Sequence, residues 1–171
     1  NAYQTDAETQ QENLDRWREI ENKVSEVVQP AKLAPLMSSA SPEWHTPQHI
    51  IERVIRTMGV INLDPCSNSD DPTQANVKAD GYYTEATDGL EHEWGGTVYM
   101  NPPYGDVIGD WVNRLIHQVD MGITTEAIAL VPGRIDTAWF RPLWRQPICF
   151  VYGRLKFSAA KDSAPFPSAV A

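Results

Sequence analysis

The chain has 171 residues, 42% of them hydrophobic, enough for one domain with a full core, and a formal net charge of −9 at pH 7. No stretch approaches the roughly 18 consecutive apolar residues of a membrane-spanning helix, and the acidic, polar N-terminus lacks a signal peptide's apolar segment, so the expectation is a cytoplasmic protein with no membrane partner. Cys66 and Cys149 fit no metal or disulfide-framework spacing, and His45, His49, His92 and His117 show no ligand spacing, so no metal is expected.

In chain order, residues 5–28 carry Leu14, Trp17, Ile20, Val24 and Val27 on one helical stripe behind a capping box of Thr5 and Glu8, which predicts an amphipathic helix. Residues 29–43 are rich in Pro, Ser and Ala and read as a linker. The helix and linker are assigned to residues 1–41 and the main domain to 42–171. The stripe spans less than two heptads, short for a coiled coil, yet it offers a face through which a homodimer could form.

From Thr46 the pattern alternates between helix and strand. Thr46-Pro47 reads as N-cap and first turn of a helix whose apolar positions are Ile50, Ile51, Val54, Ile55 and Met58 and which stops at Gly59. A strand over 60–63 runs into Asp64-Pro65, followed by a polar loop at 67–76 and an irregular section around Gly81 to Tyr83. A second strand, Thr97 to Met100, leads into a helix from Ile108 to Val119 with Trp111, Leu115, Ile116 and Val119 inward. The apolar run 127–132 predicts a strand covered on both faces. A short helix at 137–145, a longer strand at 148–157 and a last strand opening in 168–171 complete the pattern. This order predicts an α/β fold with a mostly parallel sheet and ligands at the carboxyl ends of its strands, where Asp64 and Asn101 both fall.

The stretch Asn101-Pro102-Pro103-Tyr104 ends a strand on two residues that donate no backbone hydrogen bond and hold φ near −65°. A loop so stiffened leaves the carbonyls of Asn101 and Pro102 and the Asn101 amide free to face a ligand bearing an NH2 group, with the Tyr104 ring available to stack on a planar base. The plain alternative is a turn with an Asn cap and a core Tyr. Charge is uneven. Between residues 134 and 161 six basic residues face one acidic residue, whereas between 64 and 93 eight acidic residues face one Lys. The basic segment suits phosphates and the acidic one a cationic small molecule, although either could be ordinary solvated surface.

In order along the chain, EWHTP, LDPCS, KADGYYTEATDGL, NPPYG, DTAWF and ICFVYGRLKF resemble the phage family of DNA N6-adenine methyltransferases. The resemblance spans about Trp44 to Ala171 and implies a Rossmann-like, S-adenosylmethionine-dependent methyltransferase fold acting on double-stranded DNA, in the host cytoplasm if phage-encoded. It implies Asn101, Pro102, Pro103 and Tyr104 as the catalytic tetrapeptide, with the target adenine flipped out of the duplex. It places Trp44, His45, Thr46 and Pro47 near the methionine end of S-adenosylmethionine and Asp64 near its ammonium, within a stretch continuing through Pro65, Cys66 and Ser67. Asp88 would reach the cofactor's adenine amine and Asp80 its ribose, unless these carboxylates merely cap turns. Arg134, Arg141 and Arg145 would contact DNA phosphates. LDPCSNSDD lacks the glycine-rich loop of many methyltransferases. A cytosine N4 or protein glutamine methyltransferase, or a catalytically silent DNA-binding module, fits the same residues.

Overall fold

The computed structural model describes residues 44–157 and 162–171. The expected N-terminal amphipathic helix and the expected linker lie outside the described residues. Among the described residues no helix is long and apolar enough to cross a membrane, and no group of three or more His, Cys, Asp or Glu is placed to hold a metal ion.

Helix α1 runs Gln48–Met58, burying Ile50, Ile51 and Val54, and ends on Gly59, whose φ of 77° and N–H bond to the Ile55 carbonyl close the last turn. One expectation is corrected. Ile55 is exposed at the edge of the apolar stripe, and Thr46 does not cap the helix. The extended Pro47 precedes the first turn, and its carbonyl accepts from the Ile50 and Ile51 amides. The Thr46 hydroxyl is engaged elsewhere.

Strands β1 (Leu63–Asp64), β2 (Gly81–Tyr82), β3 (Gly96–Met100), β4 (Thr124–Pro132), β5 (Cys149–Phe150) and β6 (Ser168–Val170) form one sheet in the order β2-β1-β3-β4-β6-β5. The first four are parallel, while β6 pairs antiparallel with both β4 and β5. The sheet is therefore mixed, with β6 alone running against the other strands. The reason lies in the chain's last passage: Val151 leaves β5 at the carboxyl edge of the parallel strands, and the chain re-enters at Ser168, opposite Pro132, so β6 must run downward. The expected strand at 148–157 shortens to Cys149–Phe150, and the expected helix at 137–145 becomes a 3-10 turn at Arg141–Arg145.

Strand alternation sends Val98, Met100, Ala129 and Val131 to one face and Tyr99 and Leu130 to the other. Helix α2 (Ile108–Asp120) covers the first face with Ile108, Trp111, Val112 and Leu115, and α1 covers the second. Ile116 and Val119 are only half-buried, whereas Gln118 is buried because its Oε1 accepts the Trp94 amide. At the sheet's amino edge, Asn62 joins three strands. Its Oδ1 accepts from the Thr97 amide and its Nδ2 donates to Asp80, while Gly96 comes so close that a Cβ would lie 2.5 Å from that Oδ1.

A second close approach shapes the carboxyl edge. The 3-10 turn Gly89–Glu91 presses on β1's exit so tightly that a Cβ on Gly89 would sit 2.3 Å from the Pro65 carbonyl oxygen. Trp94 fixes the turn from below, donating Nε1–H to the Gly89 carbonyl while stacking on Trp111. A Gly89→Ala variant is expected to lose about 1–3 kcal/mol of stability through this overlap, measured as a lowered urea midpoint with an unchanged slope.

Candidate active site

The direct pairing of β1 with β3, Leu63 opposite Val98, brings the ends of the two strands side by side. Asp64 is the last residue of β1 and Asn101 follows β3, so two side chains far apart in sequence open on one crevice of about 400 Å3. That volume suits a small-molecule site. Trp44, His45, Thr46, Asp64, Pro65, Cys66, Ser67, Asp88, Asn101, Pro102 and Pro103 all line it.

Asn101 is held at both ends. Its Nδ2 donates to the Trp44 carbonyl at 2.6 Å and to Thr46 Oγ1 at 3.2 Å, and its Oδ1 accepts from the Tyr104 hydroxyl at 2.9 Å. The two donations fix which end of the amide is oxygen, and that oxygen keeps a second lone pair. Thr46 Oγ1 lies 2.9 Å from the buried Tyr99 hydroxyl, which completes a chain from the core to Asn101. The hydroxyl expected to cap a helix thus orients the amide, and Thr46 also lines the crevice.

Tyr104 is half-buried and does not line the crevice. Its ring lies 6.3 Å from Trp44 at an interplanar angle of 24° and meets Phe157 and Phe166 edge-on. Burial holds its hydroxyl, and that of Tyr99, well above the usual tyrosine range, so both stay protonated donors.

Asp64 is 5% exposed. Burial pushes its carboxyl up to about 7, against the pull of the Cys66 amide, which donates to Oδ1 at 3.0 Å. Burial and the neighbouring Asp64 also push the Cys66 thiol up, so it remains a neutral wall. Asp88 takes the positive φ of 47° and caps the Gly89–Glu91 turn, its Oδ1 accepting the Leu90 amide at 3.1 Å. It both caps a turn and lines the crevice.

Other expected residues fall elsewhere. Asp80 precedes β2 and so lies at the opposite, amino edge, exposed and bonded to Asn62. Pro47 is buried beneath the start of α1. Arg134 follows β4 directly at the carboxyl edge, half-buried. Arg141 and Arg145 are exposed on the 3-10 turn leading down to β5. Sequence reasoning passed over Tyr99, Thr84, Glu85, Gly89, Leu90 and Trp111, together with Asn68, Asn76, Val77 and Val107, all of which line the crevice. KADGYYTEATDGL held four of them.

The family model described as DNA N-6-adenine-methyltransferase (Dam) matches residues 35–169. The chain belongs to this family. No curated protein and no solved structure matches it. Membership makes DNA the substrate class and adenine N6 methylation the activity in general, and the matched span contains every residue of the crevice.

Two outcomes test the site's electrostatics and its orienting chain. Because the Asp64 carboxyl is held near 7 in the fold against an ordinary 3.8, the folded state binds the extra proton between those values. Its contribution to stability is present at low pH and is lost as pH rises through about 7. Thermal melting of the ligand-free protein should show this slope, and Asp64→Asn should flatten it and melt several degrees higher at pH 8. Thr46→Val should lower turnover about tenfold or more while leaving cofactor affinity within about twofold, and Thr46→Ser should restore turnover. A large rise in the cofactor Kd of Thr46→Val would instead mark Thr46 as a ligand contact.

Proposed function

We propose that the chain methylates N6 of an adenine flipped out of double-stranded DNA, using S-adenosylmethionine bound in the Asp64 crevice and the Asn101–Tyr104 loop as the catalytic site. The observation that supports this reading best is the fixed Asn101 carbonyl oxygen, standing on the same crevice as a buried carboxylate.

The residues suit the cofactor. Asp64 is a buried carboxyl with no cation beside it among the described residues, and an ammonium arriving there would restore the charge that burial opposes. Asp88 keeps one oxygen for an amine or hydroxyl donor, and Trp111, Leu90 and Pro65 supply flat apolar walls. When bound, S-adenosylmethionine supplies an electrophilic methyl group on sulfonium. The gap left by the missing glycine-rich loop is answered by Gly89, whose bare Cα lets a distant turn close against Pro65.

The adenine amine is a weak nucleophile because its lone pair is delocalised into the ring. Asn101 Oδ1 and the Pro102 carbonyl each accept one N6 hydrogen, which draws the nitrogen toward tetrahedral geometry and frees the lone pair. Positive charge would grow on N6 as it takes up the methyl group. The same two oxygens stabilise it as fixed dipoles that need no reorganisation. The proton then leaves N6 for solvent. Pro102 and Pro103 keep the arc rigid and offer no competing N–H. Tyr104 serves as the stacking surface, its half-buried ring lying beside Trp44 in the aromatic cluster.

Incubating DNA with the purified protein and S-adenosylmethionine, then mapping modified bases, should give N6-methyladenine in a defined sequence context and no N4-methylcytosine. Asn101→Ala should reduce the rate by at least about a hundredfold while leaving the melting temperature within a few degrees. Near-normal turnover in that variant would remove the catalytic assignment.

A further inference from the structure

Residues 151–157 leave β5 at the carboxyl edge and cross toward the candidate active site with alternating sidedness. Val151, Leu155 and Phe157 pack inward with Trp44, Phe166 and Tyr104, Phe157 lying 5.1 Å from Trp44 and 6.1 Å from Tyr104. Tyr152, Arg154 and Lys156 face solvent. Gly153, at a φ of 79°, makes the bend that lifts Tyr152 clear of the surface, where its side chain is fully exposed. β5 is three strand positions from β3, so the bend stands about 14 Å to the side of the Asn101 loop. An exposed tyrosine followed by two exposed cations, in a chain of net charge −9, finds its complement in a polyanion carrying planar bases.

We propose that this strap is a DNA-holding element: Tyr152 is a wedge that enters the duplex and occupies the place of the extruded base, while Arg154 and Lys156 hold the phosphates beside it. The assignment rests on the DNA reading above and adds to it a second contact built from the same segment. The inward Leu155 and Phe157 touch the cluster that holds Tyr104, so a strand gripped by the outer residues lies over the site that receives the base. A ring inserted into the stack replaces contacts the departing base gives up, which lowers the cost of extrusion.

The test is fluorescence anisotropy of a labelled duplex, either intact or carrying one abasic gap, with the full chain and no cofactor. Wild type and Tyr152→Phe should prefer the gapped duplex, because the ring fills the gap. Tyr152→Ala should lose about tenfold on the gapped duplex, as expected for one lost stacking contact, and far less on the intact one. Arg154→Gln with Lys156→Gln should weaken both complexes and reduce the salt slope by about 2. Tyr152→Ala binding like wild type, or losing equally on both duplexes, would overturn the wedge, and an unchanged salt slope in the double variant would overturn the phosphate contacts. These readouts need no methyl transfer. An inactive wild type that shows the gap preference sinks the proposed reaction alone, and an active wild type without it sinks the wedge alone.

Discussion

The hydrogen-bonded adjacency of β1 and β3 is the constraint from which the site follows. Leu63 pairs with Val98, so the carboxyl ends of both strands open on one crevice with nothing between them. Had β2 inserted there instead, Asp64 and Asn101 would stand a strand farther apart. The register is itself held by buried alternation on both faces, because a one-residue slip of β3 would carry Val98 and Met100 to the face now occupied by Tyr99. Core packing and site geometry are thus the same fact seen from two ends of a strand.

The two acids of the crevice are held differently. Asp64 is buried, opposed by desolvation and steadied by one amide. Asp88 is exposed and secured by the turn it caps. The first is a strained position, destabilising to the empty fold and relieved by a cation. The second is structurally settled and offers its remaining oxygen at little cost. An acidic protein can therefore carry a cation-seeking pocket and, on the outer side of residues 152–156, a small basic surface without either cancelling the other.

Much of this was legible in the sequence because it is local. Two successive prolines announce a rigid loop wherever they occur, and an Asp-Pro after an apolar run marks a strand's end. What was hidden depends on partners far along the chain. Thr46 reads as a helix cap until Tyr99, 53 positions away, claims its hydroxyl. Asp80 carries no sign of which end of β2 it occupies, and the amino end is the wrong edge for a ligand. Residues 148–157 alternate like a strand, and the alternation is real, but the bend at Gly153 turns the segment onto an aromatic cluster rather than along a neighbouring strand. Gly89 gives no local signal, since the atom that forbids a side chain there belongs to Pro65.

The orientation of the Asn101 amide has a consequence for which bases can sit opposite it. With both amide hydrogens turned into the protein and one lone pair taken by the Tyr104 hydroxyl, only the second lone pair of Oδ1 is left to face outward. On the reading proposed above, guanine, thymine and the deaminated form of adenine would each bring an exocyclic carbonyl oxygen against that lone pair. They would be refused by repulsion before any question of reactivity arose. A donor at this position would have been indifferent or inverted. On that reading the loop would screen its substrate by the sign of a single dipole.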